Sequence, residues 1–161
     1  MPKISNCLWF DKQAEEAANY YISVFPNSKI KEITHYDAAS SKVAQMPEGS
    51  VLTVSFDLDG QEFMGLNGGP AFKFNEAISF IIDCEDQAEV DKYWEKLSAV
   101  PESEQCGWCK DKFGVSWQIV PKVLNELLSD PDKEKASRVM TAMLQMHKLD
   151  VAKLQAAAEG K

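Results

Sequence analysis

One ordering limits this chain more than any other feature. A strand, a helix and several strands can be read over residues 4–66, and the same order begins again over 77–121. In the first copy, Ile4–Phe10 is a short apolar run. Ala14, Ala17, Ala18, Tyr21, Ile22 and Phe25 then recur at helical spacing, with Asp11 placed to cap them and Pro26-Asn27 to stop them. Ser28–Tyr36 reads as a weaker strand, with Ile30 and Ile33 out of register, and Asp37–Ser50 as a mobile loop. Val51–Leu58 alternates apolar and polar, Asp59-Gly60 is a two-residue hairpin signal, and Gln61–Leu66 returns.

The other copy starts with a strand at Ala77–Cys84. Asp86, with Glu89 three residues on, starts a helix whose apolar stripe is Val90, Tyr93, Trp94 and Leu97. Pro101–Gln105 leaves room for a short edge strand, and Trp108–Lys110 and Val115–Val120 are the last two strands. The final one is the plainest in the chain. Val115, Trp117 and Ile119 alternate with Ser116, Gln118 and Val120; Asp111-Lys112-Phe113-Gly114 turns into it and Pro121 ends it. Trp117 and Ile119 are expected to face the helix, which leaves Gln118 on the other face. The copies share organisation rather than sequence, and the C-terminal one is the shorter.

Beyond Pro121 the pattern is helical. Val123, Leu124, Leu127 and Leu128 are stopped by Asp130-Pro131, and Ala136, Val139, Met140, Met143, Leu144 and His147 form one stripe. Val151 and Leu154 continue weakly toward an Ala-rich end expected to fray. Residues 122–161 are expected to lie as a helical extension on the sheet or on a partner chain.

A net charge of −8 and a pI near 4.8 argue against nucleic acid and anionic membrane surfaces as partners. No apolar run approaches the ~20 residues of a membrane span, and the N-terminus lacks a signal-peptide pattern. A cytoplasmic location is expected, with Cys7, Cys84, Cys106 and Cys109 as reduced thiols.

Four blocks carry a family likeness: 8–28, 63–72, 72–97 (FKFNEAISFIIDCEDQAEVDKYWEKL) and 106–121 (CGWCKDKFGVSWQIVP). In this order they resemble the PhnB-like branch of the vicinal oxygen chelate, or glyoxalase / bleomycin-resistance, superfamily, often labelled 3-demethylubiquinone-9 3-methyltransferase-like. The resemblance covers about residues 1–128. It implies an α+β fold of two βαβββ modules, about 1–70 and 71–128, each curling a mixed sheet around a cavity. Residues 129–161 are then a C-terminal helical extension, and the assembly a homodimer.

The superfamily places a metal ligand on the first strand of each module and a carboxylate on the last. Carried over, Gln118 stands in a glutamate position, Ala77 and Asn6 lie near histidine positions, and the last strand of the first module offers only Glu62. An amide and an alanine do not make a divalent site, so no tightly held metal and no other cofactor is expected. The ligand-facing candidates are Gln118, Ser79 and Asn6, each able to meet a carbonyl or hydroxyl or to serve as a satisfied structural group. Glu76 and His35 are the acid–base candidates. His147 is read as a cation at a helix C-terminus. Cys106 and Cys109 have dithiol spacing, but a redox pair needs a helix N-terminus and zinc needs two further ligands; small packing thiols are the plainer reading. Asn67-Gly68-Gly69 does not lead into a helix as a phosphate loop does. The turn Trp9–Gln13 lacks the glycines of a Rossmann-type site for S-adenosylmethionine.

The expected function is that of a glyoxalase-like small-molecule-binding protein or enzyme of open substrate. Two alternatives stand beside it: methyl transfer to a quinol-like aromatic, as the branch label suggests, and a non-catalytic interaction protein.

Overall fold

A computed structural model describes residues 4–161 and divides the chain into two units, Met1–Phe74 and Asn75–Lys161. The first runs β1 (Asn6–Phe10), α1 (Ala14–Val24), β2 (Lys29–His35), α2 (Ala38–Ala44), β3 (Val51–Leu58) and β4 (Gln61–Asn67). Its sheet has the order β1-β4-β3-β2, with β1 parallel to β4 and the remaining pairs antiparallel. Alternation assigns Leu8, Phe10, Val54, Phe56, Leu58 and Phe63 to one buried face. Helix α1 packs there through Ala14, Ala17, Ala18, Tyr21 and Val24. The alanines permit a close approach, and β4 answers with Gly65, where an added Cβ would lie 3.1 Å from the Ala14 Cβ. Tyr21, Phe56 and Phe63 stack at 6.4 and 5.6 Å between centroids.

Two details of this unit depart from the sequence reading, and a third accounts for it. The segment expected as a mobile loop contains α2, held by a capping box. Asp37 accepts from the Ser40 N–H at 2.7 Å and the Ser40 hydroxyl accepts from the Asp37 N–H at 3.0 Å. The helix buries no residue, so hydrophobic periodicity carries no sign of it. Asp11 does not cap α1; Gln13 stands at the N-cap without a side-chain bond, and the buried Asn67 supplies the acceptor instead, its Oδ1 2.8 Å from the Ala14 N–H. The broken register of Ile30 and Ile33 is a bulge: the β2–β3 pairing skips between Ile30 and Glu32.

The second unit runs β5 (Ser79–Cys84), α3 (Gln87–Leu97), a 3-10 turn (Pro101–Ser103), β6 (Trp108–Lys110), β7 (Ser116–Pro121), α4 (Lys122–Leu128), α5 (Lys133–Met143) and α6 (Val151–Ala158). Its sheet has the order β5-β7-β6, with β5 parallel and β6 antiparallel to β7. The architecture is α+β with two mixed sheets and C-terminal helices. The expected edge strand at Pro101–Gln105 is replaced by the 3-10 turn, which Pro101 favours at its first position; an isolated bridge pairs Gln105 with Trp108. Strand β5 begins at Ser79, two residues later than expected, because Glu76 and Ala77 lie in a turn where Asn75 Oδ1 accepts from the Ala77 N–H at 2.9 Å. In α3, Val90, Tyr93 and Leu97 are buried, whereas Trp94 is half-buried.

The C-terminal helices form a small core of their own from Leu124, Val139, Leu149, Leu154 and Ala158, against which Val120 of β7 packs. The predicted stripe on α5 is cut short. The helix ends at Met143, Met140 and Leu144 are exposed, and Leu149 from the following loop fills the core in their place. The Ala-rich end is held rather than frayed: Asp150 caps α6 and Leu154 and Ala158 are buried. His147 is not at a helix end; its Nδ1 lies 2.8 Å from the Glu104 carbonyl oxygen. The loop is tied down by backbone N–H groups, Cys106 donating to the Met146 carbonyl at 2.7 Å and Gly107 to that of His147 at 2.8 Å.

Candidate functional site on the C-terminal sheet

The turn before β7 is fixed by one buried carboxylate. Asp111 Oδ1 accepts from the Phe113 and Val115 N–H groups at 2.9 and 3.0 Å, and Oδ2 accepts from the Trp117 indole N–H at 2.9 Å. The Gly114 N–H closes the turn on the Asp111 carbonyl at 3.0 Å, with Gly114 at φ 91°, a conformation open to glycine. Asp111 therefore sets both the hairpin and the side to which Trp117 points. Trp117 and Ile119 are buried on the face packed by α3, together with Cys109 and Cys84.

Period two then sends Ser116, Gln118 and Val120 to the other face. The register places Ser79, Ser116 and Lys110 in one row across the three strands, and Ile81, Gln118 and Trp108 in the next. Gln118 Nε2 donates to Ser79 Oγ at 2.9 Å. That bond leaves the Ser79 hydroxyl proton and the Gln118 carbonyl oxygen unspent by it. Ile81 beside them is 61% exposed, so this face is open on its β5 side, whereas Ser116 in the adjoining row is covered. Lys110 is paired with Glu76. Ser116 is buried, and its Oγ has no hydrogen-bond partner among the described residues. Val120, the next residue on this face, packs against the core of the C-terminal helices, which bound one end of it.

Of the residues chosen from sequence, Gln118 and Ser79 are thus brought together. Glu76 belongs to the same unit but serves as the partner of Lys110, whose hydrogen bond holds its carboxyl below the usual carboxylate range. It is therefore ionised near neutral pH and a poor proton acceptor there. Asn6, a ligand-facing candidate by sequence, does not join them. The β1–β4 register puts it on the Leu8 and Phe63 side of the first sheet, where its amide donates to the Glu62 carbonyl at 3.3 Å. His35 ends β2 of the first unit and is exposed. Ser116 and Lys110 are absent from the sequence candidates, although counting outward from the Asp111–Gly114 turn pairs them across the hairpin.

The cysteine pair sits in a turn and a strand, without the helix N-terminus that lowers a redox thiol's pKa. Cys106 and Gly107 are the central residues of a tight turn, at φ 39° and 90°, with the Trp108 N–H donating to the Gln105 carbonyl at 2.8 Å. No helix begins there, and burial pushes the Cys109 thiol up to about 12. The Cys84 thiol is likewise pushed up to about 12, again chiefly by burial. Only Cys7 and Cys106, of the four thiols, should react with an aromatic disulfide reagent in the native protein at about pH 8, the other two appearing on unfolding. Three or more fast-reacting thiols would contradict this packing.

Among the described residues, no group of three or more His, Cys, Asp or Glu side chains could hold a metal ion. The donor set around Gln118 is an amide, two hydroxyls and a carboxylate already held by an ammonium, which does not fit a divalent cation. Among the described residues, cavities also border other parts of the two units. One of about 650 Å³ is bordered by Gln87, Asp91, His147, Lys148 and α6; one of about 210 Å³ in the first unit is bordered by Lys12, Glu15, Met46 and Asn67. Neither includes Gln118. No helix among the described residues is long and apolar enough to cross a membrane.

Residues 2–120 match the family described as 3-demethylubiquinone-9 3-methyltransferase. Among solved structures, a putative 3-demethylubiquinone-9 3-methyltransferase, PhnB protein, from Bacillus cereus is 36% identical, with a TM-score of 0.61 over 74% of this chain and 99% of that one. The fosfomycin resistance protein FosX from Listeria monocytogenes is 14% identical at a TM-score of 0.54, over 80% of this chain and 98% of its own. Protein PA1353 from Pseudomonas aeruginosa is 15% identical at 0.53, over 75% and 98%. These last two share the fold. No curated protein matches the chain.

Proposed function

The chain belongs to the 3-demethylubiquinone-9 3-methyltransferase family, the PhnB-like branch of the vicinal oxygen chelate superfamily, and from that membership we propose that it binds a small organic molecule on the open face of its C-terminal sheet. The observation that carries the reading is the Gln118–Ser79 hydrogen bond at 2.9 Å, on the face that α3 leaves uncovered. The amide orients the hydroxyl, and together they retain both donor and acceptor capacity toward an incoming oxygen or nitrogen. The same reading has no resident metal, because Gln118 stands where the superfamily has a carboxylate. Ile81, 61% exposed beside Gln118 in the register, offers an apolar contact for the ligand or for another copy of the chain.

A fragment screen followed by amide NMR tests this. A subset of fragments shifts the Ser79, Ser116 and Gln118 signals in a saturable way, and Gln118→Leu weakens them at least about tenfold, the loss of one well-placed hydrogen bond in a partly dry site. Shifts confined to the cavity beside α6, or none at all, defeat the reading. Sedimentation as an 18.0 kDa species removes the homodimer from it.

A competing reading is methyl transfer to a quinol-like aromatic, favoured by the description of the matched family. Calorimetric titration with S-adenosylmethionine decides it; no binding heat and no protection against unfolding eliminate it.

A further inference from the structure

The open face carries a charge arrangement that narrows what it can hold, and the inference from it rests on the reading of that face as the binding site. Its positive group is Lys110, in the same cross-strand row as Ser79 and Ser116. That ammonium is not available to a ligand, since Glu76 takes it in an ion pair. The Lys110 side chain is only 22% exposed, whereas that of Glu76 is 59% exposed, so the carboxylate covers the ammonium from the solvent side. Asp83 is exposed and, two residues from Ile81, is on the same face. An anion arriving here meets two carboxylates and a cation already spoken for. A cation meets the Lys110 ammonium at the β6 end of the row and, beside it, a carboxylate that is already paired. What remains unspent and within reach is neutral: the Ser79 hydroxyl proton and the Gln118 carbonyl. Ile81 and Trp108 on either side of Gln118 offer apolar contact for a flat body.

We propose that this face selects an uncharged ligand presenting an oxygen on a flat apolar body, and that Glu76 enforces the selection by occupying Lys110. Glu76 is then a specificity residue, not a catalytic one.

Phenol, benzoate and benzylamine are suitable probes, being of one size with three charges. Amide NMR titrations are run on the full chain, on Glu76→Gln and on Glu76→Gln combined with Lys110→Met. In the unaltered protein, phenol shifts Ser79, Ser116 and Gln118 at concentrations at least about fivefold below those needed for benzoate or benzylamine, the scale of a partly exposed ion pair. Glu76→Gln strengthens benzoate about fivefold and leaves phenol within about twofold; adding Lys110→Met cancels the gain. Benzoate or benzylamine binding as well as phenol in the unaltered protein overturns the proposal, as does a Glu76→Gln variant with unchanged selectivity. If no probe moves these amides, the binding face itself is wrong and this proposal goes with it. If phenol moves them with the wrong selectivity, only the role of Glu76 falls.

Discussion

Asp111→Ala lowers the thermal unfolding midpoint by roughly 10 °C. The carboxylate is 1% exposed and accepts from two backbone N–H groups and the Trp117 indole. Removing this acceptor from these three donors costs about 3 kcal/mol, the upper part of the range for a stranded buried group; for a chain of this length each kcal/mol moves the midpoint by about 2–4 °C. The loss is not confined to stability. Without Asp111 the hairpin that pairs Lys110 with Ser116 loses its brace, and so does the orientation of Trp117 that leaves Gln118 on the opposite face. Phenol binding should therefore weaken along with the midpoint. Asp111→Asn keeps one oxygen for the backbone donors but presents an N–H to the indole or loses one turn bond, so it should fall between alanine and the native protein. A midpoint within about 2 °C of the native value for the alanine variant would show that the turn does not depend on this side chain.

Gly107→Ala should have an effect of similar size for a steric reason. Gly107 has φ 90°, and an added Cβ would lie 2.9 Å from Leu149 Cδ1, 3.1 Å from its Cγ and 3.2 Å from the Ile119 carbonyl oxygen. Leu149 is fully buried in the core of the C-terminal helices, and the Ile119 oxygen belongs to β7, so neither yields easily. A left-handed alanine costs about 1 kcal/mol and overpacking about 1–3 more, a total of about 3 kcal/mol. The contact breaks where the loop 144–149 is tied to the sheet by the Cys106 and Gly107 N–H groups. Hydrogen exchange should then rise first in that loop and in α6, with the first unit unchanged. Native-like exchange there, with an unshifted midpoint, would contradict the packing of Leu149 on Gly107.

The fold is largely legible in the sequence because its strands alternate cleanly and its hairpins carry Asp-Gly or D-x-x-G turns. Val51–Leu58 is buried at every other residue from Val54, as its pattern requires, and the Asp111–Gly114 turn forms where glycine and aspartate demand it. Helix α2 escapes such a reading because a helix that buries nothing has no hydrophobic period; its sign is the Asp37 and Ser40 pair, a local hydrogen-bonding signal. Periodicity misplaces the end of α5 because Leu144 and Leu149 are the same residue type, and only packing chooses Leu149. The site follows the same division. Gln118 and Ser79 can each be found by counting along its own strand, and the β5–β7 register is what brings them together. The Asn6 candidate comes from the family likeness rather than from alternation, and the β1–β4 register sets it on the Leu8 and Phe63 side of its own sheet.

By itself, the sequence determined which residues share a face, since period two is a property of the extended chain and survives any arrangement of strands. It also determined the turns, through residues that tolerate positive φ or pre-form a hydrogen bond. Only the tertiary structure decided which strands are neighbours, and with that which side chains meet. That Lys110 is held by Glu76, that Asn67 caps a helix fifty-three residues away in sequence, and that Ser116 is left without a partner among the described residues are consequences of strand order and helix docking. They depend on distances between segments remote in the chain, which no local pattern encodes.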